Sequence, residues 1–229
     1  MRLSACSLVL LIATTGCGGG GGGSTPTPTS PTAPATNNRA PTITAASVSP
    51  AAGIATLTTH SFSATASDAD GDAITYSWDF GNGASSTNAT ANVTFANANT
   101  SVYQATVTAR DSKGATATAA VTVTSATIAG AFAGTLVGAP AMVALTQYQG
   151  GIVGGSWQVP SAGLAGDVGP SGEPGKIQSN GQFELRFKAT QGAFTDFHYR
   201  GTMDPTGQRL TGTVHGSGFT GQLMVLQKQ

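Results

Sequence analysis

Residues Ser67–Gly83 read SDADGDAITYSWDFGNG. The second half of this stretch decides the fold. Ile74, Tyr76, Trp78 and Phe80 alternate with Thr75, Ser77 and Asp79, so apolar side chains fall at every second position, the period of a strand with one face buried. The same period returns on both sides. Phe62, Ala64 and Ala66 share a face, as do Val93 and Phe95, then Tyr103, Ala105, Val107 and Ala109, then Ala115, Ala117, Ala119, Val121 and Val123. Turns rich in Asp, Gly, Asn and Ser separate these runs and no helical period intervenes, which predicts an antiparallel sandwich of about ninety residues.

Within the sandwich each prominent residue has a structural task. Trp78 reads as the buried anchor between sheets, and Gly81 and Gly83 supply turn conformations that side chains disfavour. The first half of the stretch offers more. Asp68, Asp70 and Asp72 place hard carboxylate oxygens at alternate positions, the ligand type calcium collects in sets of about six to eight. The spacing lacks the glycine and the closing glutamate of a helix–loop–helix calcium loop. An Asp/Gly turn, its side chains accepting backbone N–H groups, is therefore the favoured reading, with calcium the rival. No other cofactor is expected.

Ser67–Gly83 together with Tyr103–Thr124, YQATVTARDSKGATATAAVTVT, resembles the PKD domain, an immunoglobulin-like sandwich common in surface proteins and in accessory parts of secreted hydrolases. The resemblance covers about Pro41 to Ser125 and rests on Trp78, Asp79, Phe80 and Gly81 and on the Tyr103–Asp111 strand. Asn82 stands where the family often has Asp, which removes a charge from the turn.

After Ser125 a second set of short strands begins. QFELRFKA turns Phe183, Leu185 and Phe187 inward, DFHYRGTM does so with Phe197, Tyr199 and Met203, and IVGGSWQV with Val153, Trp157 and Val159. Turn signals at SNGQ and DPTGQ punctuate the series. Eight or nine strands are expected over 130–226, and a meander of that kind tends to close because closure removes exposed edges. The expectation is an up-and-down β-barrel or curled sheet, similar in layout to lipocalin- and avidin-type barrels. Its interior is wide enough for packed side chains or one small ligand. Phe183, Phe187, Phe197, Tyr199 and Trp157 favour the filled alternative.

The chain opens MRLSACSLVLLIATTGC, with Arg2, an apolar run centred on Leu8–Ala13 and small residues leading into Cys17, the layout of an export signal. The run is shorter than the roughly 20 residues a membrane span needs. Thr14 to Cys17 resembles the lipobox of bacterial lipoproteins, with Gly16 and Cys17 fitting and Thr14 where the family usually has Leu. The resemblance implies a signal cut before Cys17, a diacylglycerol on its thiol and an acylated amino terminus. Gly18, in place of the Asp associated with inner-membrane retention, points to the outer membrane. Cys6 falls within the signal, so Cys17 would be the one cysteine of the mature chain and no internal disulfide is expected.

Gly18–Gly23 and STPTPTSPTAPAT, Ser24–Thr36, have no side chains to bury and read as a swivel followed by an extended spacer. The expected organisation is a signal at 1–16, a disordered lipoprotein tether at 17–38, a PKD-type sandwich at 39–125 and a β-barrel-like domain at 126–229. The fold class is thus all-β throughout.

Ten basic and ten acidic residues leave no net charge, so no footprint for nucleic acid is present. The charged share of 9% lies far below the roughly 25% of ordinary domains, a bias that fits an exported protein. Catalytic groups do not converge. His60, His198 and His215 are the only histidines, and the last two fall on outward positions of their strands without cysteine or a close acidic partner to complete a zinc site. GGSWQVP lacks the glycine pattern of a nucleophile elbow, and GGIVGG lacks the Lys-Ser/Thr pair of a phosphate loop.

The expected function is therefore non-enzymatic. A membrane-anchored lipoprotein would display a sandwich and a barrel for binding or structural contact at the cell envelope, with a protein or glycan partner. Two rivals stand beside it: a carrier of a small hydrophobic ligand inside the barrel, and a polysaccharide-binding accessory protein, which requires aromatic rings exposed on a flat face.

Overall fold

The computed structural model describes residues 37–97, 99–169, 173–191 and 195–229. Cys17, the signal and the Gly- and Thr/Pro-rich tether lie outside them. Residues Asn38–Gln229 form one compact unit. Its strands are β1 (Thr42–Ser49), β2 (Ala52–Ile54), β3 (Thr59–Ser67), β4 (Ile74–Asp79), β5 (Ser85–Ser86), β6 (Thr90–Thr94), β7 (Ser101–Asp111) and β8 (Thr116–Ala126), then β9 (Gly130–Leu136), β10 (Ala139–Gln147), β11 (Ile152–Val159), β12 (Leu164–Val168), β13 (Gly175–Ile177), β14 (Gln182–Gln191), β15 (Phe197–Met203), β16 (Arg209–Gly216) and β17 (Phe219–Lys228).

β1, β3 and β6 make one sheet of the sandwich, and β2, β8, β7, β4 and β5 the other. The chain changes sheet after β1, because β2 runs parallel to β8 instead of continuing beside β3. The alternation read from the sequence is the alternation of burial. Phe62, Ala64, Trp78, Phe80, Ala105, Val107 and Val123 fill the space between the sheets, while Thr75, Ser77 and Asp79 face water. Phe62 lies 4.8 Å from Phe80 and 5.4 Å from Trp78, and Trp78 stacks on Phe80 at 5.9 Å. Each such ring buried contributes about 1.5–3 kcal/mol, so the aromatic cluster anchors an otherwise Ala- and Val-rich core.

The second set of strands is an up-and-down barrel. β9, β10, β11, β12, β14, β15, β16 and β17 pair in succession, and β17 returns to β9 through Leu226 opposite Gly134, closing a ring of eight. β13 is a short addition bridging β11 and β14 at one end. The interior is filled. Phe187 stacks on Phe197 at 4.8 Å, Trp157 meets Phe197 edge-on at 5.1 Å, and Phe183 packs on Tyr199 at 4.9 Å. The Tyr199 hydroxyl donates to the Met224 carbonyl at 3.0 Å, so the one polar atom this ring brings inside has a partner.

Sandwich and barrel touch. Ile54, Ala126 and Ile128 belong to the hydrophobic cluster of the barrel. Gln147, at the end of β10, accepts hydrogen bonds at Oε1 from the Thr127 hydroxyl and the Ile128 N–H, each at 3.0 Å, and donates from Nε2 to the Ala55 carbonyl at 3.0 Å. The Thr58 hydroxyl donates to the Ser179 carbonyl at 3.2 Å. The corner between β2 and β3 thereby sits against the β13 end of the barrel.

Candidate metal centre

Three segments converge at one end of the sandwich: the residues before β1, the loop from β3 to β4, and the turn that follows β7. Asp68, Asp70 and Asp72 do not gather around one point. Asp68 folds its loop, its Oδ1 accepting the N–H groups of Asp70 at 2.8 Å and Asp72 at 3.2 Å. Asp70 turns away to Arg39, accepting from its backbone N–H at 2.8 Å and from its guanidinium at 2.8 and 3.0 Å. Those bonds, the backbone one foremost, hold the Asp70 carboxyl below the ordinary carboxylate range.

Asp111 takes the place in the cluster that Asp70 leaves. Ligand atoms of Asp68, Asp72 and Asp111 all lie within 4.8 Å of one another, the one group of this kind among the described residues. Asp111 is 4% exposed; its Oδ1 accepts the N–H groups of Lys113 and Ala115, each at 2.9 Å, and its Oδ2 accepts from Asn38 Nδ2 at 2.7 Å. Burial pushes its pKa up, but the Asn38 bond and the backbone bonds outweigh it and hold the carboxyl below the ordinary range.

Asp72 accepts from the Ser112 hydroxyl at 3.2 Å and faces the Lys113 ammonium at 3.0 Å. Asp68 Oδ2 and Asn38 Oδ1 are buried with no hydrogen-bond partner. Buried oxygens without donors are costly, and a cation held among them would satisfy them. The set is all oxygen, which suits calcium and not zinc.

Asp111 carried a sequence signal too weak to read: it ends a strand just before a Lys-Gly turn, and only the fold brings it across to Asp68. The histidines divide. His60 is buried, its Nδ1–H donating to the Pro50 carbonyl at 2.6 Å. His198 stands opposite His215 across β15 and β16, and it does have the acidic neighbour that the sequence reading denied it: its Nδ1 lies 3.2 Å from Glu184, which also accepts from Arg200 at 2.8 Å.

Residues 38–125 match the family model of the PKD domain. The match spans the whole sandwich and ends within β8. The PKD1 domain of Vibrio anguillarum Epp is 26% identical over 39% of this chain and 98% of its own, with a TM-score of 0.31. The PKD1 domain from the Vibrio cholerae metalloprotease PrtV is 29% identical over 38% of this chain and 99% of its own, with a TM-score of 0.30. A structure described for the promiscuous specificity of carbohydrate-binding modules of the β-sandwich superfamily is 19% identical over 83% of this chain and 85% of its own, at a TM-score of 0.36. That similarity is too low to carry an argument. None of the curated proteins matches this chain.

Proposed function

We propose that this chain is a lipid-anchored protein of the bacterial cell envelope whose PKD domain and barrel serve as a non-catalytic binding or structural body. The match of residues 38–125 to the PKD domain carries the reading, since the resemblance associates that domain with surface proteins and with accessory parts of secreted hydrolases. The filled barrel directs attention to the outer surface. Side chains of Phe183, Phe187, Phe197, Tyr199 and Trp157 occupy the interior, which argues against the ligand-carrier alternative and leaves the glycan-binding accessory as the remaining rival.

Attachment rests on Cys17. One acyl chain holds a protein only marginally, whereas two or more give stable anchoring, so the lipidated cysteine implied by the lipobox resemblance suffices without a spanning segment. Metabolic labelling with a palmitate analogue tests it. The native protein should carry label in the outer-membrane fraction and Cys17→Ser should lose the label; an unlabelled native protein overturns the anchor.

The acidic end of the PKD domain supports calcium binding by Asp68, Asp72 and Asp111, with Asn38 as a further oxygen donor and Asp70 held back by Arg39. A ligand that binds only the folded state stabilises it by about 2.7 kcal/mol at a hundredfold excess over Kd. The melting midpoint should therefore rise in millimolar calcium, and Asp111→Asn should remove that response. A midpoint indifferent to calcium leaves the cluster as an Asp/Gly turn.

A further inference from the structure

We infer that the outer wall of the barrel carries a saccharide-binding groove built on Tyr148, an inference that rests on the glycan-binding form of the reading above. Tyr148 is 56% exposed and is the one exposed aromatic ring among the described large hydrophobic residues. Its backbone is held by the turn. The Tyr148 N–H donates to the Ile152 carbonyl at 2.7 Å, closing the tight β10–β11 connection, and a side chain on Gly154 would stand 3.4 Å from Tyr148 Cε2. The ring thus lies over Gly154, and a trough runs beside it.

The trough is an open surface depression of about 550 Å³. Tyr148 and the exposed Ile152 line it together with Asp167, Lys188 and Thr190. The strand register sets the polar groups in a row. Ser156 lies opposite Asp167 across β11 and β12, and Asp167 opposite Lys188 across β12 and β14. Gly154 precedes Ser156 by two residues on the same outward face, so the row lies one pleat from the Tyr148 ring. Asp167 and Lys188 are both exposed and have no ion pair or side-chain hydrogen bond among the described residues.

This combination selects for a pyranose. Its axial C–H face is apolar and stacks on an aromatic ring, while its rim of hydroxyls both donates and accepts; a carboxylate accepts a hydrogen bond from a hydroxyl and an ammonium donates one to a hydroxyl oxygen, bonds stronger than their neutral counterparts. One charge of each sign, with no excess of either, fits a neutral glycan better than an anionic one.

Affinity electrophoresis in native gels containing a β-glucan, a xylan, a galactomannan or alginate tests the inference on the full chain with Cys17→Ser, which separates it from the anchor: the palmitate experiment succeeds or fails independently. At least one neutral polysaccharide should retard the protein. Tyr148→Ala should weaken that retardation about tenfold, Tyr148→Phe should preserve it because the stacking face remains, and Asp167→Asn should weaken it. Unchanged melting curves show that these surface variants are folded. Absence of retardation by every neutral polysaccharide, retardation by alginate alone, or retardation insensitive to Tyr148→Ala overturns the groove; the PKD domain and the anchor stand apart from that outcome.

Discussion

Val137 adopts φ 50° and Gly138 φ 80° in the two-residue turn joining β9 to β10. Positive φ at both centres is the type I′ geometry that suits the twist of a hairpin, yet a β-branched side chain pays in steric contact for it, about 1–2 kcal/mol in the left-handed region. Val137 is also exposed, so it gains little by burial. Val137→Asn should therefore raise the stability of the barrel by about 1 kcal/mol, read as a higher denaturation midpoint with an unchanged slope.

Tyr199 makes the opposite case. Tyr199→Phe removes the donor to the Met224 carbonyl and should cost about 1 kcal/mol. Burial pushes the phenol pKa well above its ordinary value of 10.0. The unfolded chain thus loses this proton first, and stability should fall as pH rises above about 10, less so in the Phe variant. Trp78, Phe183 and Tyr199 could be placed inside from the sequence, because alternation alone fixes the face of a strand residue. Asp111 could not be assigned to the cluster, since its partners are set by which loops meet.

At the level of elements, the pairing of short strands was legible and the turn geometry less so. The Asn180–Gly181 turn signal falls at a hairpin in which, of the two residues, only Gly181 has positive φ, at 81°. The Gly181 N–H bonds the Gln178 carbonyl and the Gln178 N–H bonds the Gln182 carbonyl, so the turn spans Ser179 and Asn180 with the glycine as its bulge. Asn180 instead accepts the Gln182 N–H through its side chain. Sequence composition marks where a hairpin turns; the register decided by flanking side chains selects its type.

The acidic turn after β7 has a pH signature of its own. The folded Asp111 carboxyl lies below its ordinary value of 3.8, so its contribution is complete above that value and is lost as pH falls through the lower folded one. Melting of the native protein between about pH 5 and pH 2 should show this loss, and Asp111→Asn should start less stable and respond less to acid. An acid profile identical in both proteins assigns the dependence to other carboxylates.

For the whole molecule, the division into two strand sets was readable because a composition rich in alternating Thr and Ala gives way to a Gly-punctuated series. Their union was not, because Gln147 gives no sign in sequence that its side chain spans from β10 to Ala55, Thr127 and Ile128. That amide satisfies three groups at the junction, beside an apolar seam of Ile54, Ala126 and Ile128. Gln147→Ala should cost roughly 2–4 kcal/mol, the net value of these bonds plus the penalty of groups left unpaired.

A filled barrel that meets the PKD domain through the Gln147 amide and the apolar seam of Ile54, Ala126 and Ile128 should unfold together with it as one cooperative unit. Scanning calorimetry of the full chain with Cys17→Ser measures it. One unfolding transition is expected, its calorimetric and van't Hoff enthalpies in agreement, separating into two when Gln147 is replaced by Ala. Two independent transitions in the protein with Gln147 intact, neither moved by Gln147→Ala, would contradict it.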